Sequence, residues 1–87
     1  MYRIRDEYRS RLPERTAELF ERWINDADDS GLSGFHVHIL EGRYLEAAAV
    51  ADEGNSAGLG YLLASMTDWP LCYGSPELAQ QWKNPEQ

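Results

Sequence analysis

Apolar residues recur at helical spacing through the first third of the chain. Ile4, Tyr8 and Leu12 are spaced by four, and a second apolar stripe runs over 19–27. Pro13 interrupts the pattern, because proline cannot continue a helix interior and pushes the residue before it toward extended geometry. The pattern predicts a short first helix, a break, and a second helix that begins at Pro13. A short strand around Ile4 is the alternative.

Residues 35–51 carry the clearest pattern in the chain, and it predicts a β-hairpin. Three apolar residues alternate with two histidines between Phe35 and Ile39, as in a half-buried strand. A three-residue loop would end at Gly42, where a left-handed bulge favours glycine. The residues that this register gathers on one face are Phe35, Val37, Ile39, Leu45, Ala47, Ala49 and Ala51. The competing interpretation makes 44–51 a helix, because alanine and glutamate favour helices.

Two short helices are predicted in the last third of the chain. Ser56 can cap a helix that runs to about Thr67, where leucines recur at helical spacing. Residues 69–74 are predicted to form a loop that contains proline and glycine. Ser75, followed directly by Pro76, is a strong helix start, because serine caps the first turn and proline suits its first position.

These elements predict one domain of the α+β class covering residues 1–87. It would consist of N-terminal helices, one antiparallel β-hairpin at about 35–51, and two short C-terminal helices. Residues 28–31 would end the N-terminal helices, with Gly31 as a left-handed cap. A sheet of two strands is marginal alone, so we expect helices to cover one face or a partner to extend the edge.

Composition narrows the class of protein. A chain of 87 residues with 43% hydrophobic residues has room for one core, which excludes both a disordered acidic tail and a two-domain enzyme. A pI near 4.6 argues against direct binding to nucleic acid. The single cysteine, Cys72, excludes an intrachain disulfide. Without a signal sequence or a membrane-length apolar run, the sequence predicts a cytoplasmic protein that does not bind membranes.

Charge is distributed unevenly, and this suggests an acidic docking face. The first 22 residues hold six Arg against five acids, whereas the rest hold only Arg43 and Lys83 against ten acids. A negative surface speeds association with a basic partner, and aromatic side chains supply binding energy. The expected partner-binding residues are Asp26, Asp28, Asp29, Glu41, Tyr44, Glu46, Asp52, Glu53, Trp69 and Tyr73.

Signals for metal binding or catalysis are weak. His36 and His38 would point the same way from one strand and could bind zinc together with Glu46 and Cys72, but no second ligand pair has a recognised spacing. The glycine-rich run 54–60 lacks the lysine of a phosphate loop and follows two acids, so a turn and a helix cap are expected there. Cys72 has no partner at a catalytic spacing. We therefore expect no metal, no cofactor and no enzymatic activity.

The sequence favours a small, non-catalytic protein-binding module. It would dock an acidic face with an aromatic rim onto a basic, nucleic-acid-handling surface of a larger protein and inhibit it, with carboxylates in place of phosphates. In size and charge, although in no motif, the chain resembles phage proteins that disarm host defence, such as anti-CRISPR proteins. The alternative is a structural or assembly subunit, for example in a homodimer, that uses the hairpin edge or the loop Trp69–Tyr73.

Overall fold

The computed structural model describes residues 1–85, and all regular secondary structure in that range is helical. In chain order the elements are α1 (Asp6–Arg9), α2 (Glu14–Asp26), α3 (Gly34–Leu40), α4 (Tyr44–Val50), α5 (Glu53–Ser65), a 3-10 turn (Met66–Asp68) and α6 (Pro76–Lys83). They pack around one hydrophobic core. Its most completely buried side chains include Ile4, Phe20, Ile39, Leu62 and Cys72.

The predicted β-hairpin at 35–51 is wrong, and so is the α+β class. This segment forms two helices, α3 and α4, joined by residues 41–43. The buried side chains of α3 are Phe35, His36, Ile39 and Leu40. That spacing is helical, and Val37, which a strand would bury with its alternating neighbours, is exposed. The competing interpretation of the second half as a helix is confirmed.

Gly42 turns the chain between α3 and α4. Its φ is +81°, in the left-handed region that favours glycine, although the turn joins helices rather than the predicted strands. A Cβ at this position would lie 2.3 Å from the carbonyl oxygen of Gly74. The Gly74 N–H in turn donates to the carbonyl of Leu40 at 2.8 Å. The α3–α4 turn is therefore closed against the loop that precedes α6.

α2 has a pronounced apolar face, as the sequence predicted. Its buried side chains are Thr16, Ala17, Leu19, Phe20, Trp23 and Ile24. Pro13 is the residue just before the first helical residue, Glu14, so the helix begins one position later than expected. The left-handed cap is Ala27, with φ 51°, and the predicted cap Gly31 lies in the following loop with φ 80°.

The N-terminal segment has no regular structure before α1 and is held by side chains of α2. The Tyr2 N–H donates to Asn25 Oδ1 at 2.7 Å, and Asn25 Nδ2 donates back to the Tyr2 carbonyl at 2.9 Å. The Ile4 N–H donates to the Glu21 carboxylate at 2.9 Å. These bonds satisfy backbone groups that have no partner in a helix or a sheet. The first helix consequently begins at Asp6, after the predicted apolar position Ile4.

α5 begins three residues earlier than the predicted cap at Ser56. The side chain of Asp52 accepts the Asn55 N–H at 2.8 Å, so Asp52 caps the helix. Gly58 allows α5 to approach the segment after α1, because a Cβ there would lie 2.6 Å from the Arg11 carbonyl oxygen. This close approach explains why a glycine stands in the middle of α5, although glycine inside a helix otherwise costs stability.

α6 begins where the sequence predicted it. The Ser75 hydroxyl accepts the Leu78 N–H at 3.1 Å, and a proline opens the helix. No residue of α6 is buried. The helix is attached to α2 through Trp82, whose Nε1 donates to the Trp23 carbonyl at 2.9 Å. α6 is therefore an outer element of the fold.

Replacing Gly42 with alanine tests the turn. The variant should lose about 2 kcal/mol or more of unfolding free energy, because it combines a left-handed φ with overlap on a backbone oxygen. Gly60→Ala is the matched control, since nothing lies within 4 Å of a Cβ there. That control should be neutral or stabilise by up to about 1 kcal/mol. Urea unfolding followed by circular dichroism measures both, and equal stabilities would contradict the close approach to Gly74.

Candidate functional site

Cations pair with several of the acids expected on the docking face. Asp29 lies 2.6 Å from the Lys83 ammonium. Arg43 contacts Glu41 at 2.5 Å and Glu46 at 4.0 Å. These pairs are largely exposed and contribute little to stability, but each reduces the negative potential at its position.

Asp28 is also engaged within the fold. It accepts the Ser30 backbone N–H at 2.8 Å and a further bond from the Ser30 hydroxyl. These hydrogen bonds from Ser30, with a smaller effect of Arg22, hold the pKa of Asp28 below its ordinary value. The Arg22 guanidinium lies 3.9 Å away. Asp28 is therefore a local structural acceptor as well as a charge.

The other three predicted acids form no ion pair within residues 1–85. Asp26 is exposed at the end of α2 and Glu53 at the start of α5, while Asp52 caps α5. The seven predicted carboxylates thus lie at three places in the fold: the end of α2, the α3–α4 region and the start of α5. The described residues offer no continuous run of unpaired carboxylates that would imitate a phosphate backbone.

Only one of the three predicted aromatic anchors is exposed, and it is Tyr44. Trp69 is buried, and its ring packs against Phe20 and Tyr73 with centroids 5.3 Å and 5.8 Å away. Tyr73 is half-buried, and its hydroxyl donates to the Met66 carbonyl at 2.9 Å. The loop expected to dock a partner therefore contributes Trp69 and Cys72 to the core, while its Leu71 is 77% exposed.

His36 and His38 do not lie on one face of the fold. Residues i and i+2 of a helix point about 200° apart, whereas the zinc hypothesis needed a strand. His36 packs against Phe20 with ring centroids 5.1 Å apart, while His38 Nδ1 accepts a bond from Arg43 Nε at 3.1 Å. Within residues 1–85, no three His, Cys, Asp or Glu side chains are grouped to hold a metal ion.

His36 instead contributes to the start of α3. Its Nδ1 accepts the Ser33 backbone N–H at 3.1 Å, so the neutral ring carries its proton on Nε2. Nε2 is buried and has no hydrogen-bond partner among residues 1–85. Burial lowers the pKa of His36, Arg15 lowers it further, and Asp52 opposes both effects. The environment of the ring thus favours its neutral form.

Cys72, the one thiol in the chain, belongs to the core. It is fully buried, and burial raises its pKa to about 11. The Trp23 Nε1 donates to the Cys72 backbone carbonyl at 3.1 Å. A thiol that stays protonated at neutral pH is a poor nucleophile, so the geometry assigns Cys72 a packing role.

The structure reveals an apolar surface that the sequence reading missed. We call it the α4 surface, and it consists of Tyr44, Leu45, Ala48, Ala49 and Val50. Only Ala47 of α4 is buried, whereas Leu45 is 84% and Val50 is 56% exposed. A helix that is apolar on nearly all sides is normally buried. The alanine run indicated a helix, but the strand assignment placed two of these five side chains, Leu45 and Ala49, in the core.

An open groove of about 290 Å³ adjoins the α4 surface. We call it the α4–α5 groove, and it is lined by Tyr44, Leu63, Met66, Thr67 and Tyr73. The start of α4, the end of α5, the 3-10 turn and Tyr73 of the following loop each contribute to this lining. Burial raises the pKa of Tyr44, and Tyr73 raises it further, and no Asp, Glu, Lys, Arg or His lines the groove.

A second cavity, of about 140 Å³, lies between α3 and α6. Trp23, Val37 and Leu40 line its apolar part. The Lys83–Asp29 ion pair stands at its rim. Because these two charges already satisfy each other, they leave no unmatched group to orient a ligand.

Charge around α4 and α5 has one predominant sign. The sequence contains no Lys or Arg between residues 44 and 82, and the exposed acids there include Glu46, Asp52 and Glu53. Arg43, next to α4, is engaged by acids. Arg11 lies 5.3 Å from the centre of the Tyr61 ring, on the part of α5 that faces α1. The α4 surface is therefore apolar with an acidic border.

No protein-family model, curated protein sequence or solved structure matches this chain. Nor is any helix in residues 1–85 both long and apolar enough to cross a lipid bilayer. The inhibitory role and phage origin expected from size and charge gain no support from these comparisons. The surfaces of the fold are therefore the only basis for a function.

Acidification should destabilise the protein through His36. Its pKa is lowered in the folded state, so the unfolded chain takes up a proton first as the pH falls. The contribution of His36 to unfolding free energy is thus constant above about pH 6.5 and decreases below it until the lowered folded pKa is passed. Thermal unfolding between about pH 7.5 and about pH 5 measures the decrease.

Two variants isolate this effect. His36→Gln keeps an acceptor for the Ser33 N–H, as in a capping box, but does not titrate, so the decrease should shrink. His38→Gln should leave the decrease unchanged. An undiminished decrease in His36→Gln would show that another group causes it.

Proposed function

We propose that this chain is a non-catalytic protein-binding module that docks through the α4 surface onto a larger protein. The contacted patch of the partner would be apolar and bordered by Lys and Arg. One observation carries the proposal: in α4, whose residues are all apolar except Glu46, only Ala47 is buried. Removing apolar surface from water is the main favourable term in most protein association, so α4 gains most from a cover.

Charge favours a basic partner over a second copy of the chain. The net charge is −7, and Glu46 and Glu53 are exposed on α4 and at the start of α5. A partner with Lys or Arg around an apolar patch would be attracted during the encounter and would face these acids after docking. Two copies of this chain would instead bring like charges together.

This proposal keeps the basic partner expected from the sequence and changes the docking residues. Tyr44, Glu46 and Glu53 retain a role, as an apolar contact and as bordering charges. Asp28 and Asp29 have none, because they follow α2 and are engaged within the fold, whereas Glu46 lies on α4 and meets Arg43 at only 4.0 Å. We place the protein in the cytoplasm, a reducing compartment that suits a free cysteine.

A synthetic peptide of Leu and Lys, with Leu at helical spacing, is the probe for this function. In nuclear magnetic resonance titrations it should shift the amide signals of α4 and of the end of α5. The double variant Leu45→Gln, Val50→Gln should raise the dissociation constant at least about tenfold, because two exposed apolar contacts are lost without a change of charge. Glu77→Gln, on α6, is the control for a remote acid and should bind like the wild type.

A charge-reversed peptide of Leu and Glu tests the partner chemistry and should bind much more weakly. Equal binding of both peptides would contradict the basic partner. Signal changes confined to other elements, or full affinity in the double variant, would contradict docking through α4. Sedimentation of the protein alone tests self-association. If the wild type is a dimer and the double variant is a monomer, the α4 surface serves self-assembly.

A further inference from the structure

We infer that the partner element seated on the α4 surface is an amphipathic helix that inserts one large apolar side chain into the α4–α5 groove. The inference rests on the proposed function and specifies its partner. The groove measures about 290 Å³. Because an apolar cavity of ~150 Å³ accommodates benzene, the groove has room for one Leu, Met or Phe side chain.

The shape of α4 favours a helix as the docking element. Tyr44 and Ala48 form one i, i+4 row, and Leu45 and Ala49 form the next, so the surface has the ridges that helices pack between. Because the side chains of Ala48 and Ala49 are small, the axis of another helix can approach the second turn of α4 closely. An extended segment would need an unpaired strand edge, and residues 1–85 contain no strand.

The lining of the groove selects an apolar side chain. Met66 is only 3% exposed, and Tyr73 is held in place by its hydrogen bond to the Met66 carbonyl. The hydroxyl of Thr67 donates to the Ala64 carbonyl at 2.9 Å. Two of the polar groups at the groove are thus already bonded within the protein. A charged side chain would lose water there without gaining a charged partner.

The bordering acids give the partner helix a polarity. Glu46 lies about 100° around α4 from Leu45, while Tyr44, on the other side of Leu45, lines the groove. A docked helix would therefore place its large apolar residue toward Tyr44 and its Lys or Arg toward Glu46, whose i, i+4 row on α4 also contains Val50. Such a helix carries apolar residues at i, i+3 and i+4 and cations along one flank.

Filling the groove tests this inference. Thr67→Phe should occupy the space and raise the dissociation constant of the Leu/Lys helical peptide at least about tenfold. Thr67→Val, which keeps the side-chain size, is the matched control and should bind like the wild type. A peptide of the same composition with strictly alternating Leu and Lys, a strand periodicity, should bind at least about tenfold more weakly to the wild type.

Shortening the central Leu of the peptide to Ala tests whether this side chain and the groove interact, because its effect can be compared between the wild type and Thr67→Phe. The shortened peptide should lose affinity for the wild type but little for Thr67→Phe, because the groove is already filled. Intermolecular nuclear Overhauser contacts from that labelled Leu to Tyr44 and Met66 on the wild type need no protein variant. Absence of these contacts at saturating peptide would overturn the inference.

Failure of this inference differs from failure of the proposed function. If Leu45→Gln with Val50→Gln weakens binding but Thr67→Phe does not, the α4 surface docks a partner without the groove, and the inference is wrong. If neither variant weakens binding, the proposed function is wrong as well. If both variants weaken binding and the alternating peptide binds as tightly as the helical one, the helix assignment is wrong.

Discussion

The left-handed turn at Gly42, closed against Gly74, joins α3 to α4 and leaves the two helices packed against each other. Because the turn leaves no room for a Cβ, the chain reverses tightly, and α4 packs beside α3 with Ala47 inside. The rest of this largely apolar helix then faces outward. The proposed function depends on this outward exposure of α4.

Most arginine ion pairs within residues 1–85 join residues that are near each other in the chain. Arg9 bonds both Glu14 and Glu21, and those hydrogen bonds raise its pKa above the ordinary value for arginine. Arg5 reaches Asp68 at 3.1 Å, which is the main exception. The region of α4 and α5 therefore keeps its negative border beside an apolar surface.

Local chemistry predicted several features of the fold, whereas packing decided the others. Periodicity predicted the apolar face of α2, and Ser75 predicted the start of α6. Gly42 was correctly assigned a left-handed turn. The hairpin was wrong because packing buried Phe35, His36, Ile39 and Leu40 at helical spacing and so overrode the alternation over 35–39. For the site, composition indicated acids, but pairs such as Lys83 with Asp29, far apart in sequence, could not be foreseen. The α4 surface was missed because exposure depends on the packing of a helix.

Amide hydrogen exchange of α4, with and without the Leu/Lys helical peptide, tests the central claim most directly. We expect the α4 and Met66–Asp68 amides to exchange more slowly when the peptide is bound, while the α6 amides are unchanged. Protection that appears on α6 alone, or an α4 that exchanges at the same rate with saturating peptide, would contradict the claim that α4 is an uncovered docking helix.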